Sequence, residues 1–115
     1  MAKRRMLSVD IIESDRFYLL KSSAQALYFH LNMNADDDGI VDKWKSILRS
    51  SRIKQEHLRA LIDAGLIIEL DSGALLISHW LIHNKIRSDR YIEGQHRAEL
   101  ATLKLLGTGR YTKGS

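Results

Sequence analysis

The chain contains no proline in 115 residues and only seven glycines. Proline is the strongest breaker of a helix, so helices here can run uninterrupted, and the glycines must supply the punctuation together with a few Ser and Asp clusters. Ser22-Ser23 offers an N-cap, and Ala24, Leu27, Tyr28, Leu31 and Ala35 follow at helical spacing, which predicts a helix over about 23–35. It stops at Asp36-Asp37-Asp38-Gly39, a turn cluster whose glycine can take positive φ, and Ile40-Val41 read as a short extended piece. Asp42 can cap a second helix over about 43–50, with Trp44, Ile47 and Leu48 inward and Lys43, Lys45 and Arg49 outward. Ser50-Ser51 break that pattern. A third helix over about 54–64 carries Leu58, Leu61 and Ile62 as its buried stripe and is closed by Gly65.

After Gly65 the hydrophobic period changes. Leu66 to Leu70 is rich in β-formers, Asp71-Ser72-Gly73 reads as a tight turn, and Ala74 to Ser78 is β-like again, so a hairpin is expected over about 66–78. Its unbroken apolar runs imply burial on both faces, one on the helices and part of the other under the segment starting at His79-Trp80. An additional C-terminal helix is expected over about 91–106, then a polar, flexible tail over 107–115. In the N-terminal segment, Val9, Ile11 and Ile12 suit a strand, whereas Asp15 to Leu20 suits a short helical turn. Residues 1–106 thus read as one α+β, mainly α domain. Helix, short strand, helix, helix, hairpin is the order of a winged helix-turn-helix with a β-hairpin wing.

An apolar content of 44% suffices for one core. No cysteine is present, so neither a disulfide framework nor thiolate ligation of zinc is available, and a reducing cytoplasm is the expected compartment. Lys3-Arg4-Arg5 leads into Ser8-Val9-Asp10 rather than into the apolar stretch of a signal peptide. Nothing approaches the roughly 18 apolar residues of a membrane span. The net charge of +4 is unevenly spread: Lys43 to Arg59 holds six basic residues and the single acid Glu56. Such a concentration on adjacent helices is the footprint of a polyanion partner.

Three stretches carry a resemblance: Ser23-Ala24-Gln25-Ala26-Leu27-Tyr28-Phe29-His30-Leu31, the Ala35-Asp36-Asp37-Asp38-Gly39 turn, and Ser78-His79-Trp80-Leu81-Ile82-His83-Asn84-Lys85-Ile86 with Asp89-Arg90-Tyr91. Over about residues 3–92 the chain resembles the N-terminal domain of phage replisome organisers, the DnaD-like replication initiation proteins of phages and prophages of low-GC Gram-positive bacteria. The resemblance implies a winged helix that binds origin DNA in the bacterial host cytoplasm, self-associates, and recruits a replicative helicase loader or another replisome protein. Members usually continue into a second helical domain, whose roles do not transfer to these residues.

On that architecture Arg52, Lys54, Gln55, His57 and Arg59 are expected at the exposed start of the third helix, facing base edges of double-stranded DNA, with single-stranded DNA as a second form. Gln55 suits adenine and Arg59 guanine, and Lys43, Lys45 and Arg49 would neutralise phosphate. Lys85, Arg87 and Arg90 form a secondary basic surface, and the acidic hairpin turn is expected to cover the core more than to read DNA. Two other functional classes stay open: a protein-interaction module for replisome assembly without DNA contact, and a winged-helix transcriptional regulator. Leu100, Leu103, Leu105 and Leu106 point to docking, on the domain or on a partner. No enzyme motif occurs, and no cofactor or metal is implied. Asp36-Asp37-Asp38-Gly39 lacks the closing Glu of a calcium loop, having Lys45 there instead. His79 and His83 read as packing beside Trp80 rather than as zinc ligands, and Trp44 and Trp80 as core.

Overall fold

In a computed structural model, residues 5–84, 104–105 and 111–112 are described. The strand reading of the N-terminal segment is overturned: it forms two short helices, α1 (Val9–Ile12) and α2 (Asp15–Tyr18). One side chain separates them. Ser14 Oγ donates to the Ile11 carbonyl at 2.7 Å and accepts the Phe17 N–H at 3.3 Å, ending one helix and capping the next. Phe17 is thereby turned inward, edge-on to Tyr28 at 5.5 Å and to Phe29 at 5.6 Å.

Helix α3 (Ser22–Met33) buries Ala24, Leu27, Tyr28 and Leu31, the stripe its spacing predicts. Its cap position is Lys21 rather than the Ser22-Ser23 pair, and no side chain bonds there, so packing of the stripe holds the helix. In the following turn Asp36 Oδ1 accepts the N–H groups of Asp38 (2.9 Å) and Ile40 (3.0 Å), while Gly39 sits at φ +85°. Strand β1 (Ile40–Val41) leads to α4 (Trp44–Ser51), which starts behind Lys43, one residue later than a cap at Asp42 would place it. Helix α5 (Gln55–Asp63) follows after three residues.

The hairpin is β2 (Ile67–Glu69) and β3 (Leu75–Ile77). The sheet is antiparallel in the order β1-β3-β2, with Ile40 opposite Leu76 and Ile68 opposite Leu76 on its other side. Because side chains alternate along a strand, Leu75 and Ile77 face the helical core with Val41, Ile67, Leu27 and Leu61, while Leu76 faces the other way with Ile40. Contrary to the expectation, His79-Trp80 does not cover that second face. The four-residue helix α6 (Trp80–His83) sends Trp80 into the helical core. Tyr111 lies against Ile40, Leu70, Ala74 and Leu76 instead.

Two further expectations change here. Lys104–Leu105, read as the end of a helix, is strand β4, and Tyr111–Thr112, read as tail, is its antiparallel partner β5. The physical reason is the exposed apolar face of the three-stranded sheet: Tyr111 covers it, and its N–H donates to the Ser78 carbonyl at 2.7 Å. The rest of the expected helix over 91–106 and of the tail lies outside the described residues. Helices and sheet together make a compact α+β domain. Among the described residues no helix is long and apolar enough to cross a membrane.

Candidate nucleic-acid interface

Helices α4 and α5 end in the same way. After α5, Gly65 takes φ +77°, and the Leu66 N–H reaches back to the Leu61 carbonyl at 3.1 Å. After α4 the left-handed position is filled by Arg52, at φ +60°, and the Ile53 N–H reaches the Leu48 carbonyl at 3.2 Å. Among the described residues Arg52 is the only non-glycine with positive φ. The turn it makes reverses the chain, buries part of Ile53 against the core, and presents the start of α5 to solvent.

Of the predicted contact residues, Lys43, Lys45, Arg49, Arg52, Lys54, Gln55 and Arg59 are exposed. Among the described residues, the ion pairs involve only one of these cations: Arg59 lies 3.7 Å from Asp63, one turn along α5 and just as open to water, so solvent screens the pair. His57 departs from the expectation. Its side chain is only 15% exposed and its Nε2 lies 4.0 Å from Glu56 Oε1, so it is tucked beside the helix. Lys54 occupies the cap position of α5 without a side-chain bond, leaving the first-turn N–H groups open at the positive end of the helix dipole.

Lys45, Arg49 and Gln55 are brought together with Trp44, Leu48 and Ile53 along an open groove of about 340 Å³ between α4 and the start of α5. Lys45 Nζ lies 5.5 Å from the Trp44 ring centre, which holds the ammonium at the groove edge. The indole N–H of Trp44 donates to the Gly73 carbonyl at 2.9 Å, tying the hairpin turn to the start of α4. The apolar floor of this groove and the tie to the hairpin are not visible in the sequence, where Leu48 and Ile53 read as ordinary core. Lys85, Arg87 and Arg90 lie outside the described residues.

No protein-family model, curated protein or solved structure matches the chain.

The three resemblance-bearing stretches are occupied structurally. Asp36 spends its carboxylate on the turn, and burial raises its pKa above the ordinary value. Asp37 receives Arg5 Nη1 at 3.1 Å, and Arg5 Nη2 donates to the Ala35 carbonyl at 2.7 Å. The Arg5 guanidinium lies 5.1 Å from the centre of the Trp80 ring, whose indole N–H donates to the Asp37 carbonyl at 3.1 Å. His79 Nδ1 contacts Ser78 Oγ at 3.2 Å. His83 Nδ1 accepts the Ser8 N–H at 2.8 Å, which leaves the proton of the neutral ring on Nε2, 2.5 Å from the Tyr28 hydroxyl. Burial lowers the His83 pKa to about 4 and raises that of Tyr28. These polar side chains strap the N-terminal segment and the Asp36–Gly39 turn to α6, at the base of the α3, α4 and α5 scaffold.

Proposed function

We propose that the chain is a winged-helix DNA-binding protein that docks α5 in the major groove, with α4 against the phosphate backbone. The order α3, β1, α4, α5, β2, β3, with β1 against the second strand of the hairpin, is what that architecture requires. The observation that carries the reading is the turn at Arg52. A side chain in the left-handed region costs about 1–2 kcal/mol that glycine would avoid, as Gly65 does at the equivalent place. Such strain at an exposed cation, flanked by the exposed Lys54, Gln55 and Arg49, is the mark of a residue kept for contact rather than for folding.

Arg52, Lys54 and the open N–H groups of α5 meet phosphate and base edge, Gln55 and Arg59 lie four residues apart on the outer face of α5, and Lys43, Lys45 and Arg49 neutralise backbone charge. The hairpin turn, with Asp71 and neighbouring Glu69 exposed and Gly73 held by Trp44, is a brace rather than a reader. The sequence resemblance directs the proposal to replication initiation, with self-association on DNA and a replisome partner in the cytoplasm.

The test is fluorescence anisotropy of the chain with labelled duplex and single-stranded DNA across a salt series. The expected log–log salt slope is about −0.9 per neutralised phosphate on duplex, smaller in magnitude for Arg52→Glu with Lys54→Glu by about the contacts removed. Absence of binding to either DNA form at low salt would overturn the reading.

A further inference from the structure

We propose that the groove between α4 and the start of α5 receives an acidic segment of a partner protein, anchored by an aliphatic or aromatic side chain. The proposal stands apart from DNA binding but shares Lys45 and Arg49 with it, so the two ligands compete. Three features define the occupant. Leu48 and Ile53 are half-buried core residues whose remaining apolar surface forms the groove floor beside the edge of Trp44. Phosphate contact leaves that floor unused, whereas an apolar anchor covers it. Next, Lys45 and Arg49 stand one turn apart on α4, both exposed, and among the described residues neither has an ion-pair partner. With Gln55 opposite, they frame the floor with donors and positive charge, which selects carboxylates around the anchor and rejects a basic segment. Finally, the groove is open along its length and holds only about 340 Å³, so it cannot enclose a small molecule, but it suits a chain laid across it.

The Trp44 ring is itself nearly buried and has Lys45 beside it, so it offers no free face on which a nucleobase could stack. This favours a protein segment over single-stranded nucleic acid as occupant of the groove. The indole N–H, bonded to the Gly73 carbonyl, makes a local reporter: the other tryptophan, Trp80, is fully buried away from the groove.

The experiment is selection of random peptides displayed on phage against the full chain. The strongest synthetic peptide is then titrated into the isotope-labelled chain by NMR. Winners should carry two or more Asp/Glu around a Leu, Ile or Phe, and shifts should centre on the Trp44 indole N–H, Leu48 and Ile53. Lys45→Glu with Arg49→Glu should weaken binding by about tenfold or more, without changing the circular dichroism spectrum, because both side chains are exposed. Winners without acidic enrichment, shifts mapping elsewhere, or affinity untouched by the double reversal would each overturn the proposal. Adding duplex DNA to the peptide complex separates the two readings. Displacement is expected when both hold, whereas peptide binding in a chain that does not bind DNA would sink only the DNA reading.

Discussion

Trp80 lies against Gly39 so closely that a Cβ on the glycine would come within 2.7 Å of the Trp80 Cβ and Cδ2 atoms. The contact binds the Asp36–Gly39 turn to the segment after the hairpin. Its geometry needs glycine twice over, for the positive φ of +85° and for the space. Gly39→Ala is therefore expected to lower stability by about 3 kcal/mol, the sum of left-handed strain and overpacking against a rigid ring. Urea unfolding followed by tryptophan fluorescence measures it. A loss under about 1 kcal/mol would show that the indole can move aside.

Arg5 and Asp37 form an ion pair whose side chains are 2% and 5% exposed. Removing one member of a buried pair strands the other charge, at about 3–5 kcal/mol, whereas removing both releases most of that penalty. Arg5→Met alone should destabilise by about 3 kcal/mol, and adding Asp37→Asn should recover a measurable part. Strict additivity in a double-mutant cycle would mean that the two side chains do not depend on each other.

His83 gives the fold a sensitivity to acid. Its folded pKa of about 4 lies below the ordinary 6.5, so the unfolded chain takes up a proton that the folded chain refuses. The stability contribution is complete above about pH 6.5 and drains away as pH falls towards 4, at up to about 1.4 kcal/mol per pH unit. Protonation of Nδ1 also removes the acceptor for the Ser8 N–H, so the N-terminal segment is the first element to loosen. At the alkaline end Tyr28 acts in the opposite sense: its raised pKa means stability is lost as pH climbs past 10. Melting temperatures between pH 4 and 8 for wild type and His83→Gln test the acid limb. Parallel profiles for the two proteins would exclude His83 as its source.

The helical elements are legible in the sequence because their apolar residues recur at 3.6-residue spacing. The spacing alone names Ala24, Leu27, Tyr28 and Leu31 as the buried face of α3, and Leu58 and Leu61 as that of α5. The hairpin is legible from the switch of period at Gly65. Long-range partners are not. Arg5 reads as part of an N-terminal basic run, yet its charge is taken inside by Asp37 and Trp80, contacts that follow from tertiary packing alone. Val9 to Ile12 has β-branched composition, but Ser14 and the inward turn of Phe17 make the segment helical. Tyr111 sits in a polar stretch, and only the sheet face it covers explains its burial. In the interface, exposure of the basic residues on α4 and α5 follows from helix phase, whereas the tucked position of His57 depends on the rotation of α5 against its neighbours.

Arg52 separates folding from function within one residue. If its left-handed conformation is maintained for contact, replacing it with glycine relieves strain and removes a cation at once. Arg52→Gly is expected to raise unfolding free energy by about 0.5–1 kcal/mol in urea, since the bond from Ile53 N–H to the Leu48 carbonyl needs only the backbone. The same variant should lose duplex affinity and reduce the magnitude of the log–log salt slope by about 0.9, one phosphate's worth. Gain of stability with unchanged binding would mean that the side chain is a tolerated defect and would shift the contact surface towards Lys54 and Arg59. Loss of stability would mean that the Arg52 side chain itself holds the turn, and the strain argument for an interface at this position would fail.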